Sequence, residues 1–231
     1  MEQPKMGQRA VILLSGGLDS ATAAAIAKQQ GHQLFALTFD YGQRNHVEIN
    51  AAKKIVQYLG IEKHLIMPID LRLFGNSSLT SNMSVPKNIL KEQIGKNIPN
   101  TYVPARNTVF LALALAYAES IDAETIYIGI SNVDYSGYPD CRPEFLQAFN
   151  ALAQLATKAG VGSSRLSVEA PLLSFSKKET ILRGLELGMD YSLTFTCYDP
   201  KPDGQPCGCC ESCSLRADAF QAAGLQDPAL K

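Results

Sequence analysis

The sequence has almost no net charge, no long apolar run, no internal repeat and no low-complexity tract. Lys+Arg 21 against Asp+Glu 22 leaves a formal charge of -1, which argues against a broad face for gripping polyanions while allowing a local basic patch. Direct nucleic-acid binding is therefore not expected. No apolar stretch reaches the ~20 residues of a membrane span. Met1 to Arg9 lacks the apolar core of a signal peptide, so the expected setting is cytoplasmic, away from membranes. Two nucleotide fingerprints are missing as well, since neither G-x-x-x-x-G-K-[ST] nor G-x-G-x-x-G occurs. What is present is ordinary globular composition, hydrophobic 46% and charged 19%. The length allows one large domain or two small ones at roughly 150 residues each.

Arg9 to Leu14 is a short apolar run ending at Ser15-Gly16-Gly17 and reads as a buried strand. The Ala-rich stretch Asp19 to Gln30 reads as a helix closed by Gly31. Gln33 to Phe39 is a second apolar run, Val47 to Leu59 a helix stopping at Gly60, and Lys63 to Pro68 a third strand. This alternation is the signature of parallel βαβ units in a layered α/β fold. Farther on, Thr108 to Ser120, Glu144 to Lys158 and Ser176 to Leu187 read as helices, the last with a Ser176/Glu179 capping box. Thr125 to Gly129 and Arg165 to Glu169 read as strands. Residues 75–100 are rich in Asn, Ser, Lys and Pro and lose apolar periodicity, which marks a functional loop, such as one folding over a substrate, or a poorly ordered one.

Five of the six cysteines, Cys197, Cys207, Cys209, Cys210 and Cys213, fall close together. In a cytosolic chain that clustering points to metal rather than disulfides. Cys197-x9-Cys207-x2-Cys210-x2-Cys213 offers four thiolates, a closed tetrahedral shell for Zn2+ with no open position, hence a structural site. Such a site would organise a Pro/Gly-rich segment that has little regular structure of its own. Cys209 is left out as a spare thiol, because adjacent residues rarely share one metal. A redox pair and an iron–sulfur cluster are the competing readings.

Ser15-Gly16-Gly17-Leu18-Asp19-Ser20 sits between a predicted strand and a predicted helix. Glycines allow a sharp turn there, so that successive N–H groups meet one anion at a helix N-terminus. A plain strand–helix turn with an Asp or Ser cap is the alternative. The motif resembles the pyrophosphate loop of the PP-loop ATPases, which implies ATP cleaved between its α and β phosphates. Further blocks narrow the likeness: Asp40-Tyr41-Gly42-Gln43-Arg44 with Glu48 after it, Val103-Pro104-Ala105-Arg106-Asn107, Asp134 through Phe145, and the C-terminal cysteines. From about Ala10 to Phe220 the chain resembles the 7-cyano-7-deazaguanine synthases of queuosine biosynthesis. Two positions depart from that family's pattern. Asn45 stands where His is usual, with His46 one step later, and Ala105 stands where Gly is frequent.

The resemblance implies an open, mostly parallel α/β sheet with helices on both faces, of the adenine nucleotide α-hydrolase type. Residues 1–231 would form one domain that includes a zinc segment over residues 190–220. It implies a ligase that converts 7-carboxy-7-deazaguanine and ammonia to the nitrile with ATP and Mg2+, and a homodimer. Ser15, Asp19, Ser20 and Arg106 would be catalytic. ATP would meet Leu14, Ser15, Gly16, Gly17, Leu18, Asp19 and Ser20, with Asp40 near adenosine and Lys177 on a phosphate. Arg106, Asp134, Tyr138, Asp140 and Arg142 would meet the deazaguanine, while Phe145 and Cys141 read as packed side chains. A PP-loop tRNA thiolase is the alternative enzyme. It would need a sulfur-carrying cysteine or an RNA-binding domain, and the cysteines are better used by zinc. A zinc-stabilised nucleic-acid module leaves Ser15 to Ser20 unexplained, and a glutaminase domain would not fit in the length, so ammonia would come free or from a partner.

Overall fold

The computed structural model describes residues 7–94, 96–133, 137–162 and 166–230. Five strands, β1 (Arg9–Leu13), β2 (Gln33–Asp40), β3 (Lys63–Pro68), β4 (Thr125–Ile128) and β5 (Ser167–Glu169), form one sheet in the order β3-β2-β1-β4-β5. Every pairing is parallel. A parallel sheet must be covered on both faces, and alternate residues of β1 serve the two sides. Ala10 and Ile12 pack with α1 (Leu18–Gln29), α2 (Val47–Leu59), α6 (Lys177–Glu186) and α7 (Glu211–Ala222). Val11 and Leu13 pack with α3 (Arg106–Ser120) and α4 (Pro143–Ala156). The expected open parallel α/β architecture is the one that forms.

From β1 the chain runs outward through β2 to β3, then crosses to β4 on the other flank of β1. The switch point therefore lies between β1 and β4, and beyond their carboxyl ends open sheets of this kind place ligands. The turn after β4 comes very close to the start of α1. A Cβ on Gly129 would stand 2.7 Å from the Ser20 backbone nitrogen, so glycine is what permits that approach.

Some boundaries differ from the sequence reading. The helix expected through Lys158 stops at Ala156, because Thr157 is extended (φ -126, ψ 156) and its hydroxyl accepts from the Gly160 N–H, opening the short helix α5 (Lys158–Val161). The last strand covers Ser167–Glu169, and Arg165 lies outside the described residues. The capping box at Ser176 and Glu179 forms as expected. Helix α7 had no counterpart in the sequence reading. No described helix is long and apolar enough to cross a membrane.

Candidate active site and metal centre

The loop after β1 is held by its own serines. Ser20 Oγ accepts from the Ser15 N–H at 3.2 Å and donates to the Gly17 carbonyl at 3.0 Å, while Ser15 Oγ accepts from the Gly17 N–H at 3.2 Å. Gly16 has φ +93, and a Cβ there would lie 2.1 Å from the Glu48 carbonyl oxygen and 2.8 Å from the Ala52 nitrogen. The Gly16 carbonyl in turn accepts from the Phe195 N–H at 2.9 Å. The loop is thus wedged between α2 and the segment leading to the cysteines. Gly17 is the N-cap of α1, and no side chain caps that helix. The expected alternative, an Asp or Ser cap, is not what forms. The helix N-terminus stays available to an anion.

Lys177, at the first turn of α6, reaches the same loop. Its Nζ donates to both Asp19 carboxylate oxygens, at 2.6 and 2.5 Å, and the lysine is buried. A cavity of about 220 Å³ opens here, lined by Leu14, Ser15, Gly17, Leu18, Asp19, Ser20 and Lys177 on one side and by Arg106, Tyr138 and Asp140 on the other. Gly16 lies behind this wall, buried against α2. Most of the residues singled out from sequence therefore converge, from β1, α1, α3, α6 and the loop before α4.

Two, Asp40 and Arg142, do not join them. Asp40 caps the end of β2 outside the cavity lining, with its Oδ1 3.1 Å from His46 Nε2. Arg142 is exposed at the N-cap of α4. Asp134 lies outside the described residues. Phe145 and Cys141 are packed in the core as expected, and burial pushes the Cys141 thiol up to about 12.

The far wall is set by backbone contacts as well as side chains. Asp140 Oδ2 accepts from the Asn107 backbone N–H at 2.9 Å, and Asn107 Nδ2 donates to the Asp140 carbonyl at 3.0 Å. That pair clamps the first turn of α3, and with it Arg106. The residue before Arg106, Ala105, is left-handed at φ 51 and ψ 26, a conformation that costs a side-chain-bearing residue about 1–2 kcal/mol. Tyr138 hydroxyl pairs with Thr101 Oγ1 at 2.9 Å. Stacked Phe39 and Phe110 rings, 4.0 Å apart and 12° from parallel, add a flat apolar floor.

Glu48 also lines the cavity and was not singled out as a site residue in the sequence, although it follows the Gln43-Arg44 pair in the first turn of α2. Gln43 Nε2 donates to its Oε1 at 3.1 Å. Burial pushes its carboxyl up to about 7, against the opposing pull of Arg106 and the Gln43 hydrogen bond. Arg216 was missed too. It is buried with Asp227, donating from Nε at 2.7 Å and from Nη2 at 2.9 Å, and from Nη1 to Thr194 Oγ1 at 2.8 Å. Nothing in sequence spacing marks an arginine that folds inward to a carboxylate eleven positions on.

From the segment 75–100, Leu79 lines the cavity, and Ser77, Ser78 and Thr80 are buried beside it in the chain. Arg44 Nη2 donates to the Ser81 and Met83 carbonyls, each at 3.0 Å. Asp199 pairs with Lys87 at 2.9 Å and Arg44 at 3.3 Å, and the Asn88 N–H donates to the Cys209 carbonyl at 2.8 Å. These bonds join the segment to the cysteine region.

The sulfurs of Cys197, Cys207, Cys210 and Cys213 all lie within 4.8 Å of one another, and Cys209 is not among them. All are free thiols. The Cys207 N–H points at Cys197 Sγ at 3.2 Å and the Cys210 N–H at Cys207 Sγ at 3.3 Å. Hydrogen bonds from Cys197 and Cys213 hold Cys210 well below the usual thiol range. Four soft, inward-facing sulfurs with amide donors behind them suit a four-coordinate metal ion such as zinc.

Comparison with known proteins agrees with this geometry. The family described as "Queuosine biosynthesis protein QueC" matches residues 9–224. A protein named 7-cyano-7-deazaguanine synthase from Paramagnetospirillum magneticum is 58% identical over 220 residues, 95% of this chain and 97% of the relative. One of the same name from Desulfatibacillum aliphaticivorans is 54% identical over 222 residues, 96% of this chain and 95% of the relative. Among solved structures, NMN synthetase from Francisella tularensis aligns with a TM-score of 0.51 at 19% identity, over 95% of this chain and 79% of that one, a likeness of fold alone. With a family match over nearly the whole length and relatives above half identical, the chain belongs to the QueC family of queuosine-biosynthesis proteins.

Proposed function

We propose that this chain converts 7-carboxy-7-deazaguanine, ammonia and ATP to 7-cyano-7-deazaguanine, releasing AMP and pyrophosphate, as one domain spanning residues 1–231. The observation that carries the reading is that the uncapped start of α1 with Lys177 and the Arg106–Tyr138–Asp140 wall open onto one cavity. A triphosphate and a carboxylated base can then meet across it. A carboxylate oxygen is a poor leaving group, and transfer of AMP to it makes it a good one. Ammonia displaces AMP to give the amide, and a second adenylation removes the remaining oxygen.

In this reading the first-turn amides of α1, with Ser15 and Ser20, hold the phosphates as charge develops on pyrophosphate. Lys177 moves from Asp19 to a phosphate oxygen. Arg106 grips the substrate carboxylate through its planar fork, and Asp140 and Tyr138 read the guanine-like edge. Asp19, the carboxylate beside the loop, would hold a Mg2+ ion, which would supply charge neutralisation at the triphosphate. Cys197, Cys207, Cys210 and Cys213 would hold zinc in a closed four-sulfur shell, which would stabilise the fold and leave no position open for chemistry. The enzyme would act as a cytoplasmic homodimer on free or partner-supplied ammonia, touching neither nucleic acid nor membrane.

Mass spectrometry of a reaction containing the carboxy-deazaguanine, ATP and an ammonium salt tests this. The nitrile with AMP is the expected outcome. Accumulation of ADP alone, or strict dependence on glutamine, would count against it.

A further inference from the structure

We propose that Glu48 is the proton acceptor of this site, taking protons from the incoming nitrogen nucleophile and from the amide nitrogen on the way to the nitrile. This role rests on the reading under Proposed function. Near neutrality ammonium is the abundant form and ammonia the nucleophile, so the site needs a base that water cannot replace in a walled cavity. When ammonia attacks the adenylated acid, the C–N bond forms, the C–O bond to AMP breaks, and one N–H proton must leave. When the amide oxygen then attacks the α-phosphorus of a second ATP, pyrophosphate departs and nitrogen loses a second proton. Breaking the remaining C–O bond expels AMP, and loss of the last N–H proton completes the triple bond.

Among the described residues, three carboxylates line the cavity: Asp19, Glu48 and Asp140. Asp19 is bound by Lys177 through both oxygens, and Asp140 is occupied by the Asn107 N–H at the start of α3. Among the described residues, the hydrogen-bond donors to Glu48 are the neutral Gln43 Nε2 at 3.1 Å and Asn45 Nδ2 at 3.4 Å. Gln43 is itself fixed, accepting from the Tyr41 N–H at 2.8 Å and donating to the Phe39 carbonyl at 3.2 Å. The Glu48 backbone is pressed against Gly16, where a Cβ would come to 2.1 Å from its carbonyl. The acid is thereby fixed relative to the loop that would hold the phosphates. The ionisable groups facing it are Arg106 from α3 and Tyr41 beyond β2. Its raised carboxyl, about 7, suits a base that must accept and release a proton near neutral pH.

Glu48→Gln separates adenylation from nitrogen chemistry. Pyrophosphate exchange driven by the carboxy-deazaguanine should stay within about threefold of the parent, whereas ammonium-dependent amide formation should fall about a hundredfold or more, the range of acid–base catalysis. Hydroxylamine, neutral at pH 7, should still be trapped as the hydroxamate by the variant. Unfolding supplies a readout independent of turnover. A carboxyl raised from 4.5 to about 7 binds more protons folded than unfolded, so the parent should lose stability as pH rises through that window, and the variant should not. Loss of exchange together with amide formation, or unchanged amide formation, would overturn the proposal alone. Absence of exchange in the parent would overturn the substrate reading and this role with it.

Discussion

The loop at Ser15 to Ser20 and the segment from Cys197 to Cys213 both hold backbone outside regular structure, by opposite means. The loop is short and is held by hydrogen bonds of Ser15 and Ser20, one glycine at φ +93 and the close approach of α2 and the segment at Phe195. The cysteine segment contains Pro200, Pro202, Gly204, Pro206 and Gly208, and its organising contacts are sulfurs that converge within 4.8 Å. Four such sulfurs repel once ionised, so that region is suited to a cation where the loop depends on sterics. The contrast separates a turn shaped by packing from a segment whose side chains are arranged to suit a metal ion.

Removing a metal ligand should break this contrast most strongly. Cys210→Ser, or chelation of the parent, is expected to release the metal, which in structural four-ligand sites contributes about 10 kcal/mol or more of apparent binding free energy. Because Lys87 and Asn88 bridge to Asp199 and Cys209, residues 75–100 should loosen with it. Hydrogen exchange should then rise in both segments while β1 stays protected; exchange confined to the cysteines would show that the two are not coupled.

Gly16→Ala tests the steric half. The added Cβ meets backbone atoms of α2 that cannot rotate away, and the position is left-handed. Overpacking and the positive φ together should cost about 2–5 kcal/mol, read as a lower urea midpoint. ATP binding by calorimetry should weaken by at least roughly tenfold, with metal content unchanged. Tight ATP binding by a folded variant would mean that the loop is not the phosphate site.

Ala105→Gly is the smallest change and sharpens the comparison from the other side. Here the chain is left-handed without a glycine, so the substitution should relieve strain and stabilise by about 1 kcal/mol, less the entropy that glycine loses on folding. A gain in unfolding midpoint checks it. The departure that sequence noted at this position thus has a structural consequence, because the backbone does require the positive φ.

Much of the candidate site is legible in the sequence. Strand, glycine turn and helix follow one another within residues 9–30, so local periodicity locates the loop, and the four cysteines announce themselves by spacing. The capping box at Ser176 likewise needs only three residues to be recognised. Asp40 and Arg142 show the limit of motif reasoning. Both lie in blocks that resemble the family, yet Asp40 turns to His46 and Arg142 to the surface. Helix α7 was hidden because Cys210 and Cys213 at its start read as metal ligands before they read as a helix opening.

Taken alone, the sequence determined the parallel α/β class, the glycine turn between β1 and α1 and the cysteine quartet, since each depends on residues near one another in the chain or on composition. Tertiary structure decided that Glu48 lines the cavity with Gln43 and Asn45 as its hydrogen-bond donors, that Arg216 is buried on Asp227, and that Leu79 reaches the cavity from the segment 75–100. Those outcomes depend on desolvation and on partners drawn from distant elements. They arise only when separated segments are brought to the same few ångströms.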